Sequence, residues 1–168
     1  MHLLSGRLFW FNGFLLTLFL VGVSFWLENY AGVIPCPLCL LQRFTFITMG
    51  VFFLLGTFFD ARIWHIMLGS ITSLLSLTGV LLSGRQVWLQ YLPQDQQSDC
   101  GVSLTYLFKI LPPSQALSKI LEGSTECARV AWKFLSLSLA EWSLIFFVLF
   151  LIFSLIHLRM NFLQKSRK

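Results

Sequence analysis

Four long apolar stretches constrain this 168-residue chain more than any other feature of its sequence. A helix needs about 20 apolar residues to cross the roughly 30 Å hydrocarbon core of a bilayer. Three of the stretches reach about that length, and the fourth is slightly shorter. The predicted spans are Leu8 to Leu27, Cys39 to Phe59, Ile63 to Gly84 and Trp142 to Leu158. The sequence therefore predicts an all-α membrane protein, a bundle of four transmembrane helices forming a single domain over residues 1–168.

Composition and charge indicate a lipid bilayer as the surroundings of this chain. Hydrophobic residues make up 57% of the sequence and charged residues 11%, so polar residues are too few to coat a soluble globule. Basic residues opposed only by Asp60 lie at the N-terminus, between the second and third spans and at the C-terminus: Arg7, Arg62, Arg159, Lys165, Arg167 and Lys168. The positive-inside rule therefore predicts cytoplasmic termini, with outer loops at 28–38 and 85–141. This asymmetry explains the net charge of +5, and no nucleic-acid partner is predicted.

The segment Cys36-Pro37-Leu38-Cys39 places two cysteines at the start of the second span, on the predicted outer side. Residues three apart on a helix share a face, so these cysteines lie within reach of a disulfide. Pro37 favours the first helical turn, which puts Cys36 at the N-cap. Unpaired N–H groups and the helix dipole stabilise a thiolate there. The pair predicts redox exchange, whereas a structural bridge at this spacing would close almost no loop and stabilise little.

A second pair of cysteines, Cys100 and Cys127, also lies on the predicted outer side. A bridge between them would stabilise the fold by roughly 3 to 4 kcal/mol in the chain-entropy model, which supports a structural role. The polar stretch at 92–99 precedes Cys100, and an exposed disulfide beside it would be accessible to an attacking thiolate. Both interpretations stay open. No metal site is predicted, because structural zinc motifs usually present two close pairs of cysteines and this second pair is widely separated.

Arg43 follows Cys39 by four residues and Cys36 by seven, so the three are predicted to share one helical face. An arginine inside a membrane is costly and is usually functional or paired. The alternative is that its side chain extends to the lipid headgroups from the end of the span.

Two further groups of residues are an apolar segment of the second outer loop and the three histidines. Apolar residues recur at helical spacing between Val102 and Leu121, which predicts a short amphipathic surface helix in the second outer loop. Packing over the top of the bundle is an equal alternative for this segment. His2, His65 and His157 fall at the predicted cytoplasmic side and are interpreted as interfacial residues rather than ligands or bases.

The segments that carry the cysteines resemble those of one known family. They are PCPLCLLQR from Pro35 to Arg43, RQVWLQ from Arg85 to Gln90, Cys100-Gly101, and GSTECA from Gly123 to Ala128. Together they resemble the DsbB family, the inner-membrane disulfide bond formation proteins. The resemblance covers nearly the whole chain and includes the order and spacing of all four cysteines. Gln42 departs from many relatives, in which an acidic residue often precedes the arginine.

The resemblance implies a thiol oxidase of the bacterial inner membrane, with both cysteine loops in the periplasm. Its expected partner is a periplasmic DsbA-like dithiol protein, and its expected cofactor is a membrane quinone, either ubiquinone or menaquinone. By that analogy the partner attacks Cys100, Cys127 exchanges with Cys36, Cys39 faces the quinone, and Arg43 polarises the quinone oxygens. Two alternatives remain: a paralogue serving a dedicated partner, and a structural membrane protein with two inert disulfides.

Overall fold

Four long helices make up most of the part of the chain that the structure describes. This computed structural model describes residues 7–32, 36–59, 61–91, 115 and 133–163. The helices are α1, Arg7–Ala31; α2, Pro37–Phe58; α3, Arg62–Tyr91; and α4, Leu139–Leu163. Each contains a segment long and apolar enough to cross a membrane. The prediction of an all-α bundle with four transmembrane helices is therefore confirmed, while the predicted surface helix lies outside the described residues apart from Gln115.

Helices that are neighbours in sequence pack side by side and run antiparallel. Near the start of α2, Gln42 hydrogen-bonds Gln86 near the end of α3, and the end of α3 reaches the start of α4 through Tyr91 and Glu141. We call this the cysteine end, since Cys36 lies there. The opposite end, which contains Trp10, His65 and His157, is the histidine end.

Aromatic side chains fill the bundle interior, and apolar side chains cover its outside. Trp10, Phe53 and Phe147 are fully buried, and the ring of Phe46 stacks on that of Phe147 with centroids 4.0 Å apart. Phe19, Phe44 and many other large apolar side chains point outwards and are exposed. An exterior of this kind is stable when it faces lipid rather than water.

The helices extend beyond the predicted spans, most of all at the end of α3. The third predicted span ends at Gly84 and the second predicted outer loop covers 85–141, whereas α3 continues to Tyr91 and α4 begins at Leu139. Polar residues do not end α3 because they find partners inside the bundle: Gln86 bonds Gln42, and Gln90 accepts a hydrogen bond from Ser138. At the other outer loop, α1 continues to Ala31 and α2 begins at Pro37.

A short hairpin and a capping box set the start of α4. Strands β1, Lys133–Phe134, and β2, Leu137–Ser138, pair antiparallel around Leu135 and Ser136, which both have positive φ angles. A two-residue connection with two positive φ angles is the turn that matches the twist of a hairpin. Ser138 then caps α4: its hydroxyl accepts from the Glu141 N–H at 3.3 Å, and its own N–H donates to the Glu141 carboxylate at 2.6 Å.

The histidine end corrects one interpretation made from the sequence. His65 and His157 are buried within the bundle rather than exposed at the membrane interface. The indole N–H of Trp10 donates to Nδ1 of His65 at 2.7 Å, and the His157 ring stacks on Phe9 with centroids 4.5 Å apart. Aromatic packing and a hydrogen bond compensate for the burial of these imidazoles. His2 lies outside the described residues.

Candidate redox site

The start of α2 brings two sulfur atoms together. Cys36 is the N-cap residue, with φ −70° and ψ 163°, and Pro37 follows in the first turn. The Cys39 N–H donates to the Cys36 sulfur at 3.4 Å, so a sulfur occupies the position that a serine or aspartate oxygen usually fills. The two sulfur atoms are 3.0 Å apart, beyond the roughly 2.05 Å of a disulfide bond but close enough to form one after a small movement. The predicted juxtaposition of Cys36 and Cys39 at a helix start is therefore present.

A buried glutamine of α3 contacts both sulfur atoms. The amide nitrogen of Gln86 lies 3.1 Å from the Cys39 sulfur and 3.5 Å from the Cys36 sulfur. Its amide oxygen accepts a hydrogen bond of 2.7 Å from the side chain of Gln42, one turn beyond Cys39. The exposed fractions are only 3% for Gln86 and 4% for Gln42. Two buried amides and two sulfurs therefore form one connected polar group inside an apolar bundle.

Arg43 lies beside this group but turns towards α1. Its guanidinium donates to the Glu28 carboxylate at 2.6 Å and to the hydroxyl of Ser24 at 3.0 Å. It also lies over the ring of Phe25, 4.4 Å from the centroid, and its side chain is 11% exposed. Within the described residues, its hydrogen bonds all run to α1. The cation is thus mostly buried and paired, which differs from a side chain extended to the headgroups.

Three of the five predicted site residues lie in the part of the chain that the structure describes. Cys36, Cys39 and Arg43 are all within two turns at the start of α2. Cys100 and Cys127, predicted as the second redox pair, lie outside the described residues, so their roles stay predictions.

Gln86 is the functional candidate that the sequence interpretation did not single out. Its signal is a run of small and polar residues spaced alternately four and three apart on α3: Thr72, Ser76, Gly79, Ser83 and Gln86. All five are buried. That spacing marks one face of a helix, so it predicts that Gln86 points into the bundle.

The residues present fit the quinone that the resemblance implies. An apolar cofactor of this kind needs a lipid-facing approach to a sulfur and a few polar anchors. Cys39 is partly exposed, and Arg43 lies one turn further along α2. The exposed side chains of α2 beyond them are mostly large and apolar, among them Phe44, Ile47 and Val51. Arg43 is the anchor that would hold such a ring beside Cys39. Within the described ranges no group of three or more histidine, cysteine or acidic side chains could hold a metal.

A four-helix membrane bundle with a CxxC pair at a helix start defines a class of membrane dithiol proteins. Within that class the chain matches the family model described as Disulfide bond formation protein DsbB over residues 6–157. It therefore belongs to the DsbB family and is a disulfide bond formation membrane protein.

Relatives with the same name cover most of the chain. Disulfide bond formation protein B of Marinobacter nauticus is 38% identical over 143 residues, covering 84% of this chain and 85% of the relative. The protein of that name from Psychrobacter arcticus is 42% identical over 141 residues, with coverages of 80% and 79%. Disulfide bond formation protein B 1 of Pseudomonas aeruginosa is 37% identical over 161 residues, with coverages of 93% and 96%.

Proposed function

We propose that this chain is a protein-disulfide:quinone oxidoreductase of the bacterial inner membrane. It reoxidises a periplasmic DsbA-like dithiol protein and passes the electrons to ubiquinone or menaquinone. The observation that carries the proposal is the pair of sulfur atoms, 3.0 Å apart at the start of a membrane helix, with a buried cation one turn away. A pair this close can cycle between dithiol and disulfide with little movement of the backbone.

The thiol chemistry proceeds by disulfide exchange on the chain's own cysteines. A thiolate of the partner attacks Cys100 of a Cys100–Cys127 disulfide, and Cys127 leaves as a thiolate. The partner's second thiolate then breaks the mixed disulfide, so the partner is oxidised by two electrons and the Cys100–Cys127 pair is reduced. Cys127 passes these electrons on by attacking Cys36 of a Cys36–Cys39 disulfide, and Cys39 leaves as a thiolate. Cys100 then attacks Cys127, which releases Cys36 as a thiolate and restores the Cys100–Cys127 disulfide. Each exchange breaks one S–S bond and forms one.

The final step returns Cys36 and Cys39 to the disulfide and releases two electrons and two protons. The electron acceptor would be a quinone held beside Arg43, which would take up both electrons and both protons. Cys39, the less buried of the two cysteines, supplies the thiolate for this step. The Arg43 guanidinium stabilises negative charge there, an effect that is strong where water is scarce. Glu28 and Ser24 hold the guanidinium in place.

An acceptor other than a thiol is needed on energetic grounds. A DsbA-like couple has a reduction potential of roughly −120 mV, so most protein disulfides are too weakly oxidising to reoxidise it. A quinone pool draws the electrons away and lets the cycle continue.

The test measures quinone reduction by the purified full-length protein, supplied with a reduced DsbA-like partner and a soluble ubiquinone or menaquinone analogue. We expect one quinol formed for each partner molecule oxidised, and loss of quinol formation in Cys39→Ser. A protein that holds its cysteines oxidised but transfers no electrons, with either quinone and with the partner present, would contradict the proposal. Thiol trapping of all four cysteines in the same samples identifies that outcome as two inert structural disulfides.

A further inference from the structure

The Gln42–Gln86 pair places two amide groups in the apolar interior, where each unpaired polar group is costly. Both side chains are more than nine-tenths buried, and they come from different helices. The hydrogen bond of 2.7 Å between them joins the amide nitrogen of Gln42 to the amide oxygen of Gln86. The exchange steps described above use neither residue, so they do not explain why two amides are buried beside the sulfurs.

The direction of that hydrogen bond determines what Gln86 presents to the sulfurs. Because its oxygen accepts from Gln42, its amide nitrogen points the other way, towards Cys36 and Cys39. An amide nitrogen carries two N–H donors and accepts nothing. Donors favour a sulfur that carries negative charge over a neutral thiol or a disulfide, since hydrogen bonds to ionised groups are about twice as strong as those between neutral groups.

We propose that Gln86 is a catalytic residue that stabilises the thiolate form of the Cys36–Cys39 pair, and that Gln42 is a positioning residue that sets the orientation of the Gln86 amide. This inference rests on the proposed function and deepens it. When Cys127 attacks Cys36, the Cys36–Cys39 bond breaks and the electron pair stays on the Cys39 sulfur. Gln86 lies 3.1 Å from that sulfur and donates to it as the charge develops. The pair thereby becomes easier to reduce, which favours its acceptance of electrons.

The primary test is the redox equilibrium of the Cys36–Cys39 pair in the full-length, quinone-free protein. Samples are equilibrated with reduced and oxidised dithiothreitol, trapped by alkylation, and scored by mass spectrometry of the peptide that contains both cysteines. In Gln86→Leu and in Gln86→Met, which keeps more of the side-chain shape, the equilibrium constant for reduction should fall about tenfold, as expected for losing one hydrogen bond to a charged group. An unchanged constant in a folded Gln86→Met protein would overturn the proposal.

Gln90→Leu is the matched control on the same helix. Gln90 lies about one turn beyond Gln86 and accepts a hydrogen bond from Ser138 rather than contacting the sulfurs. Its replacement removes the same amide from α3 and should leave the constant at the parent value. If Gln90→Leu lowers the equilibrium constant as much as Gln86→Leu does, then removing any polar side chain from α3 disturbs the site. That result would contradict a specific role for Gln86.

A double-mutant cycle tests the role of Gln42. If Gln42 acts through Gln86, then Gln42→Leu lowers the constant when Gln86 is present and has no further effect in the Gln86→Leu background. Additive effects would show that Gln42 acts independently and is not a positioning residue. The equilibrium needs neither partner nor quinone, so it remains measurable if quinone reduction fails. Failure of the proposed function and failure of this inference are thus separate results.

Discussion

Arg43 and Glu28 show how a single charge is kept inside the bundle. The guanidinium is held by a carboxylate at 2.6 Å and a hydroxyl at 3.0 Å, and it lies over an aromatic ring, all on α1. These contacts offset the cost of removing the cation from water. They also fix its position beside the cysteines, so the charge needs little rearrangement when negative charge develops nearby.

Replacing Arg43 should therefore affect quinone reduction more than thiol exchange. We expect Arg43→Ala to slow quinone reduction about a hundredfold, the size typical of losing one preorganised donor. Single-turnover exchange with the partner should change far less. Arg43→Lys should recover part of the loss, because it restores the charge without the planar fork. The measurement is the rate at limiting and at saturating quinone, together with a single-turnover exchange assay.

The control for this prediction is Arg159→Ala, which removes an exposed cation at the histidine end and should have the parent rate. If a folded Arg43→Ala protein turns over quinone at the parent rate, Arg43 serves only to join α2 to α1. That result would leave the thiol exchange steps unaffected.

Some of the contacts in the candidate site were predictable from the sequence and others were not, for physical reasons. The contact between Cys36 and Cys39 was predictable because it is local, lying within one turn of one helix. The partners of Arg43 were not, since Glu28 and Ser24 reach it only through the packing of α1 on α2. Gln86 was predictable in part. The three-and-four spacing on α3 predicts its burial, but its contact with the sulfurs depends on how α2 and α3 align.

Helix packing depends on close approach at a few glycines, of which Gly79 of α3 is the clearest. A Cβ atom at Gly79 would overlap the ring of Phe147 on α4, and that ring is held in place by its stacking on Phe46. Gly84, on the same helix, has no heavy atom within 4 Å of its Cβ position. Small residues let membrane helices approach closely, since lipid provides no hydrophobic drive for their association.

We expect Gly79→Ala to lower the free energy of unfolding by about 1 to 3 kcal/mol, the usual cost of overpacking. Gly84→Ala should leave it unchanged or raise it slightly, because alanine favours the helix. The measurement is reversible unfolding in mixed micelles, followed by circular dichroism. Equal stability of the two variants would show that the α3–α4 contact tolerates an extra methyl group.

The ends of the helices were less predictable than their existence. Hydropathy identifies residues that avoid water, so the predicted third span stopped at Gly84, where polar residues begin. The helix continues because Gln86 and Gln90 are satisfied by other helices. The start of α4 at Leu139 had a local signal that the prediction did not use, the Ser138 to Glu141 capping box.

The distribution of basic residues predicts which end of the bundle faces the periplasm. Basic residues opposed only by Asp60 lie at the termini and between α2 and α3, which favours a cytoplasmic histidine end. The cysteine end, and with it the predicted loops of Cys100 and Cys127, would then be periplasmic. Redox exchange with a periplasmic partner requires this orientation.

Single cysteines at the two ends test it, in a chain whose four native cysteines are replaced by alanine. Ser136→Cys lies at the exposed hairpin tip of the cysteine end, and Arg159→Cys is exposed at the histidine end. A membrane-impermeant thiol reagent should label the first in intact spheroplasts and the second only after permeabilisation. The reverse pattern would invert the topology and rule out a periplasmic partner.

The hydrogen bond from the Cys39 N–H to the Cys36 sulfur makes a cysteine sulfur part of a helix start. A thiolate is a stronger acceptor than a disulfide sulfur, so oxidation and reduction change how firmly the first turn of α2 is held. Such coupling is reciprocal: the redox state shifts the stability of that turn by the same free energy by which the turn shifts the redox equilibrium. Local unfolding at this helix start and the dithiol–disulfide equilibrium of its two sulfurs are therefore thermodynamically linked.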